Sequence, residues 1–153
     1  MWQTEMLRHT HEYCQNQITL ADAKAAGILA WDAALVALMS VAPRPEGLDL
    51  LYVLLLLAAG SLVISVVFCA STLWPRMPSA GTANTVSFVD AACSSAASYS
   101  ESVLGSTQEE FCDNLCKHIH LLGSIAREKF ERIRVAVALS TTASGLLILS
   151  LLA

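Results

Sequence analysis

Residues 50 to 73 read LLYVLLLLAAGSLVISVVFCASTL, a run of 24 residues without a single charge. At a rise of ~1.5 Å per residue a helix of this length covers about 36 Å, more than a hydrocarbon layer of roughly 30 Å. A segment in lipid has no water to satisfy its backbone, so it closes its hydrogen bonds internally, as a helix does. The run leaves through Leu73-Trp74-Pro75-Arg76. Tryptophan suits the headgroup layer, proline stops the helix, and arginine reaches phosphate or water.

Two weaker runs flank it. Ala25 to Ala42 carries one charge, Asp32, and is just long enough to cross. Pro43-Arg44-Pro45-Glu46-Gly47 follows, removing two backbone donors and supplying a flexible glycine, so the chain can reverse there. Val135 to Ala153 is uncharged and contains Ser140, Thr141, Thr142, Ser144 and Gly145, small residues that let helices approach closely. The chain of 153 residues is 55% hydrophobic and 14% charged, as expected where lipid is part of the solvent. These runs predict an all-α membrane protein with three transmembrane helices.

Of the nine Lys and Arg, only Arg44 falls between the first and second spans. Arg8 and Lys24 precede the first, and Arg76, Lys117, Arg127, Lys129, Arg132 and Arg134 lie between the second and third. Positive residues collect on the cytoplasmic side, so the N-terminus is expected inside and the C-terminus outside. The expected plan is a cytoplasmic N-terminal helix at 1–24, spans at 25–42, 50–73 and 135–153, an outer turn at 43–49, and a cytoplasmic helical unit at 74–134. The first 24 residues are polar, with Glu5, His9, His11, Glu12 and Asp22, so a removable signal peptide is not expected.

Within the polar part, Phe88, Ala92, Ala96, Tyr99 and Val103 repeat at helical spacing over a serine-rich stretch that Gly105 closes. Ser106-Thr107-Gln108-Glu109-Glu110 offers a capping box in either of two registers, and a stripe from Phe111 through Leu115, Ile119, Leu122, Ala126, Lys129 and Ile133 follows. No Pro or Gly interrupts between Ser124 and Leu139, which predicts one long rod from the cytoplasm into the third span. On it, Glu128 and Arg132 have i,i+4 pairing distance.

A net charge of −4 with scattered basic residues excludes the phosphate-neutralising stripe of a nucleic-acid binder. The five cysteines are odd in number and unevenly spaced, so reduced thiols are expected. His9, His11 and Cys14 cluster, as do Cys112, Cys116, His118 and His120, but neither set has a zinc spacing, and no metal is expected. No phosphate loop, nucleophile elbow or HExxH sequence is present, so an enzyme is not expected. Asp32 is the exception within the spans. An ionised carboxylate at the bilayer centre costs roughly 2.5 to 3.5 kcal/mol. Asp32 is either shallow enough to be hydrated from the cytoplasmic side, or it faces a helix bundle or a pore.

Three segments together carry a resemblance: Ala21-Asp22-Ala23-Lys24-Ala25 entering the first span, Leu73-Trp74-Pro75-Arg76 leaving the second, and residues 125 to 134, IAREKFERIR, entering the third. The arrangement resembles the Pycsar transmembrane effector family over nearly the whole chain, less closely at Asp32 and in the serine-rich 86 to 103 segment. The resemblance implies an antiphage abortive-infection effector. A separate cyclase would supply a cyclic pyrimidine mononucleotide, cyclic UMP or cyclic CMP, and the effector would compromise the inner membrane. No cofactor is implied. A cyclic nucleotide needs a cation for its phosphate and a ring on which its base stacks. The candidates are Asp22, Lys24, Arg76, Arg127 and Lys129, with Trp74, Phe88 and Tyr99 for stacking. Lys24 and Arg76 have a second reading as anchors at lipid phosphates. Three helices cannot enclose a pore alone, so a homo-oligomer is expected. The competing functions are a constitutive membrane scaffold and a small ion transporter built on Asp32.

Overall fold

A computed structural model describes residues 2–41, 50–75 and 86–152. Among these every element is a helix: α1 Trp2–Val41, α2 Leu50–Leu73, α3 Phe88–Cys93, α4 Ala96–Gly105 and α5 Gln108–Leu152. α1, α2 and α5 are each long and apolar enough to cross a membrane. α2 has the bounds expected of the second span, and α5 is the expected rod, 45 residues and about 67 Å long. The outer turn expected at 43–49 and the arginine at 76 lie outside the described residues.

The chain divides into two compact units. One comprises residues 1–19 and 75–127, the other 20–74 and 128–153. The division falls before the expected membrane entries at 24/25 and 134/135, so that Asp22, Lys24, Lys129 and Arg132 belong to the second unit.

That second unit is a three-helix bundle. The seam positions among its buried or half-buried residues are Ala21, Ala25, Ile28, Asp32, Leu35 and Met39 on α1 and Leu55, Ala58, Leu62, Ser65, Cys69 and Thr72 on α2. On α5 they are Lys129, Ile133, Ala136, Ser140, Ala143 and Leu147. The steps alternate between three and four on all three helices, which is the seam of left-handed coiled-coil packing. Contacts between these seams set α1 parallel to α5, with α2 antiparallel to both. Near one end Ala21, Ala25, Cys69, Ile133 and Ala136 form one apolar cluster. Leu35, Ala58, Leu62, Ala143 and Leu147 form another further along. Alanine at so many seam positions lets the backbones approach closely, which is how helices gain packing energy when lipid offers no hydrophobic drive. The opposite faces expose Val53, Leu56, Leu57, Val63, Ile64 and Val67, a surface suited to acyl chains and not to water.

In the first unit α1 continues the same spacing backward through Ile18, Cys14, His11, Leu7 and Thr4, all half-buried, while α5 buries Leu115 and His118. The expected capping box forms in its second register. Thr107 N donates to Glu110 Oε2 at 2.8 Å, and Glu110 N donates to Thr107 Oγ1 at 3.2 Å, so two orphan donors of α5 are satisfied reciprocally. The single helix expected across 86 to 103 is instead two, α3 and α4. Ser95 breaks it by capping α4, its hydroxyl accepting from Ser98 N at 3.2 Å. None of the α4 residues is buried, so the stripe through Ala96, Tyr99 and Val103 does not serve as a packed core face.

Candidate functional site

The bundle organises its polar residues in layers. Two residues of the ADAKA segment open it. Asp22 meets Lys129 of α5 at 2.5 Å, with the Lys129 side chain only 9% exposed and that of Asp22 37% exposed. A buried ammonium without a partner is costly, so Asp22 is what permits Lys129 on the α5 seam. Beside it the Lys24 ammonium lies 5.2 Å from the centroid of the Phe130 ring, a cation–π geometry.

Arg132 makes the next connection. It donates through Nη1 to the Ser71 carbonyl at 2.8 Å and through Nη2 to Glu128 at 2.9 Å, the expected i,i+4 pair. Ser71 lies in the last turn of α2, where carbonyls lack helical partners and the helix dipole is negative. The last turn of α2 has no basic residue of its own, so α5 supplies the cation.

Deeper in the bundle is Asp32, with no exposed surface. Ser140 donates to its Oδ1 at 2.5 Å, and Ser65 donates to its Oδ2 at 2.7 Å. Ser65 Oγ also lies 3.2 Å from the Ala136 carbonyl. Asp32 therefore faces the bundle interior and joins all three helices, and hydration from the cytoplasmic side is not what satisfies it. This layer separates the two apolar clusters. A polar residue on a coiled-coil seam fixes register, because any other alignment leaves it unpaired in an apolar layer.

In the other unit, His11 and His118 face each other with ring centroids 5.3 Å apart. His118 is buried and its Nδ1 has no hydrogen-bond partner. Burial, reinforced by His11, holds the imidazole below its ordinary value. All five cysteines are unbridged, and among the described residues no group of three or more His, Cys, Asp or Glu is placed to hold a metal. A pocket of about 410 Å³ in this unit is lined by Glu101, Ser102, Ser106, Glu110, Asp113 and Asn114, with Gly105. Its carboxylates repel a phosphate. Asp113 is held by Lys117 at 2.6 Å.

The sequence-derived ligand candidates are thus distributed over both units. Asp22, Lys24, Trp74 and Lys129 lie in the bundle, where Asp22 and Lys129 are bound to each other. Trp74 is exposed just beyond α2. Tyr99 on α4 and Arg127 on α5 belong to the other unit. Arg76 and the Phe88 side chain lie outside the described residues. Sequence reasoning missed Ser65 as a partner of Asp32, and the only available signal was its place on the seam of α2.

No curated protein and no solved structure matches this chain. A family profile described as Pycsar effector protein domain matches residues 6–153, which takes in all three membrane-length helices and the polar segment between the second and third. The chain is a membrane protein that belongs to the Pycsar effector family.

Proposed function

We propose that this antiphage effector senses a cyclic pyrimidine mononucleotide, cyclic UMP or cyclic CMP, and responds by impairing the inner membrane. The observation that carries the reading is the family match, which covers membrane bundle and polar unit as one stretch. The signal comes from a separate cyclase, and the outcome is abortive infection. The Lys and Arg distribution supports a polar unit and an N-terminus in the cytoplasm, where such a nucleotide appears, with the C-terminus outside.

The polar unit is the receiving surface in this reading. The bundle's polar groups are largely committed at Asp22–Lys129, at Arg132 with Glu128 and the Ser71 carbonyl, and at Ser65–Asp32–Ser140, leaving few donors for a polar ligand. Tyr99 and Arg127, together with Arg76 and Phe88, are the proposed contacts to base and phosphate. Impairment needs several copies, and the α5 face bearing Val135, Ala138 and Thr142 is exposed, with small residues suited to helix contact. A nearly complete switch requires the nucleotide to favour one arrangement by ~5.5 kcal/mol. Enclosure of Asp32 by two serines favours a structural layer over the ion-transporter alternative.

The test is release of a trapped dye from liposomes carrying the full chain, with and without cyclic UMP or cyclic CMP. Release that depends on one of these nucleotides supports the reading; release independent of both, or none, overturns it.

A further inference from the structure

Along the membrane bundle, α1 and α5 leave between them a groove of about 620 Å³, open to the side and lined by Lys24, Gly27, Ile28, Trp31, Val137 and Thr141 among others. It begins at Lys24, where the first span starts, and runs to Trp31, about 10 Å along the helix axis. The space over Gly27 is open: a Cβ there would meet nothing within 4 Å. Both serine hydroxyls along it are engaged with protein. Ser140 donates to Asp32, and Ser144 accepts from Trp31 Nε1 at 3.2 Å while donating to the Ser140 carbonyl at 2.9 Å. The walls are mainly apolar, with Ile28, Trp31, Ile133 and Val137, and the mouth is cationic. Among the described residues no carboxylate pairs with Lys24, whose ammonium lies over the Phe130 ring.

We propose that this groove is a binding site for an anionic phospholipid, with one acyl chain laid along Gly27, Ile28 and Trp31 and the headgroup phosphate on Lys24. A groove in contact with a bilayer does not stay empty, since its lining would forfeit its dispersion contacts. Charge selects the occupant. An isologous contact with a second copy about an axis normal to the membrane would set two Lys24 ammonium groups at the same depth, with no carboxylate to separate them. A cyclic nucleotide offers the phosphate but no apolar chain for the walls. An anionic lipid offers both, and the lysine at the hydrocarbon boundary reaches the phosphate with its stem along the groove. The site is independent of whether the chain senses a nucleotide.

The experiment uses the full chain with Trp2→Phe and Trp74→Phe, so that Trp31 is the sole indole, in phosphatidylcholine vesicles. Brominated-acyl phosphatidylglycerol or brominated-acyl phosphatidylcholine is added at equal, low mole fraction, and Trp31 fluorescence is read. The expected result is quenching several-fold stronger with the phosphatidylglycerol, kept in Lys24→Arg and abolished as a preference in Lys24→Gln, with helical content unchanged in both. Equal quenching by the two lipids overturns the proposal, as does a preference that survives Lys24→Gln. Weak quenching by both, with Trp31 shielded, assigns the groove to a second copy and also overturns it.

Discussion

Ser140 of α5 and Asp32 of α1 are bound hydroxyl to carboxylate at 2.5 Å, in a bundle where Asp32 has no exposed surface. With Ser65 on the other oxygen, the carboxylate is held from both remaining helices.

Removing either hydroxyl takes away one of two donors. Interhelical hydrogen bonds in membranes contribute about 0.6 kcal/mol on average and up to ~1.7. Ser140→Ala and Ser65→Ala are each expected to destabilise by an amount in that range, and the double variant by more than their sum, since Asp32 then lacks both. Thermal unfolding in micelles reads this; two silent single variants would remove the layer from the account.

The Asp22–Lys129 pair is asymmetric, because the lysine is buried and the aspartate partly exposed. Asp22→Ala strands an ammonium among apolar neighbours and is expected to cost about 1 to 3 kcal/mol. Lys129→Met leaves a carboxylate that reaches water and keeps the seam filled, so its cost is expected to be smaller. The reverse order in melting temperature would show that water, not Asp22, satisfies Lys129. Any nucleotide-binding test at this position, such as Lys129→Ala beside Arg76→Ala, is to be read on protein shown to insert and fold.

His118 makes stability depend on pH with a defined sign. Burial, then the neighbouring His11, holds its folded-state value below 6.5, so as pH falls from 6.5 the unfolded chain takes up the proton first. Stability from this residue is complete above 6.5 and is lost as pH falls through the depressed value. The midpoint of unfolding is expected to be lower at pH 5.5 than at 7.5, and His118→Leu is expected to flatten that slope. An unchanged slope in the variant would assign the dependence to another group.

The cap of α5 is testable locally. Thr107→Ala removes an N-cap hydroxyl, with an expected cost of ~1 kcal/mol, and faster amide exchange is expected at the start of the helix but not beyond Leu115. The backbone N–H of Thr107, then its hydroxyl, holds the Glu110 carboxyl below its usual value of 4.5. Its contribution is therefore present above 4.5 and lost as pH falls through the lower folded value, a window that opens at lower pH than that of His118.

The spans were legible because run length alone decides them: Leu50–Leu73 has no charge, and the absence of Pro and Gly near Arg127 allowed one rod into the third span. The seam of α1 was not, since His11, Cys14, Ala21, Ala25 and Asp32 are small or polar residues that occupy core positions without looking apolar. The break at Ser95 was hidden by composition, because a capping serine among many serines carries no distinguishing mark. Asp22 and Lys129 were both singled out for their charge, but one sequence does not reveal that opposite charges so far apart satisfy each other. Serines in the third span were read as contact residues, whereas Ser65 was masked by the apolar run around it.

The alternation of threes and fours along α1, from Thr4 to Met39, makes the chain intolerant of changes in its length. One residue inserted at any point swings everything beyond it by about 100° around the helix axis. Placed between Asp22 and Asp32, such an insertion would put the two out of phase, so that with Asp22 on Lys129 the Asp32 carboxylate would be turned from its two serines toward hydrocarbon. Seven inserted residues would nearly restore the facing. Length variation within this helix is therefore expected in whole heptads, and single-residue indels in the segments outside the helices.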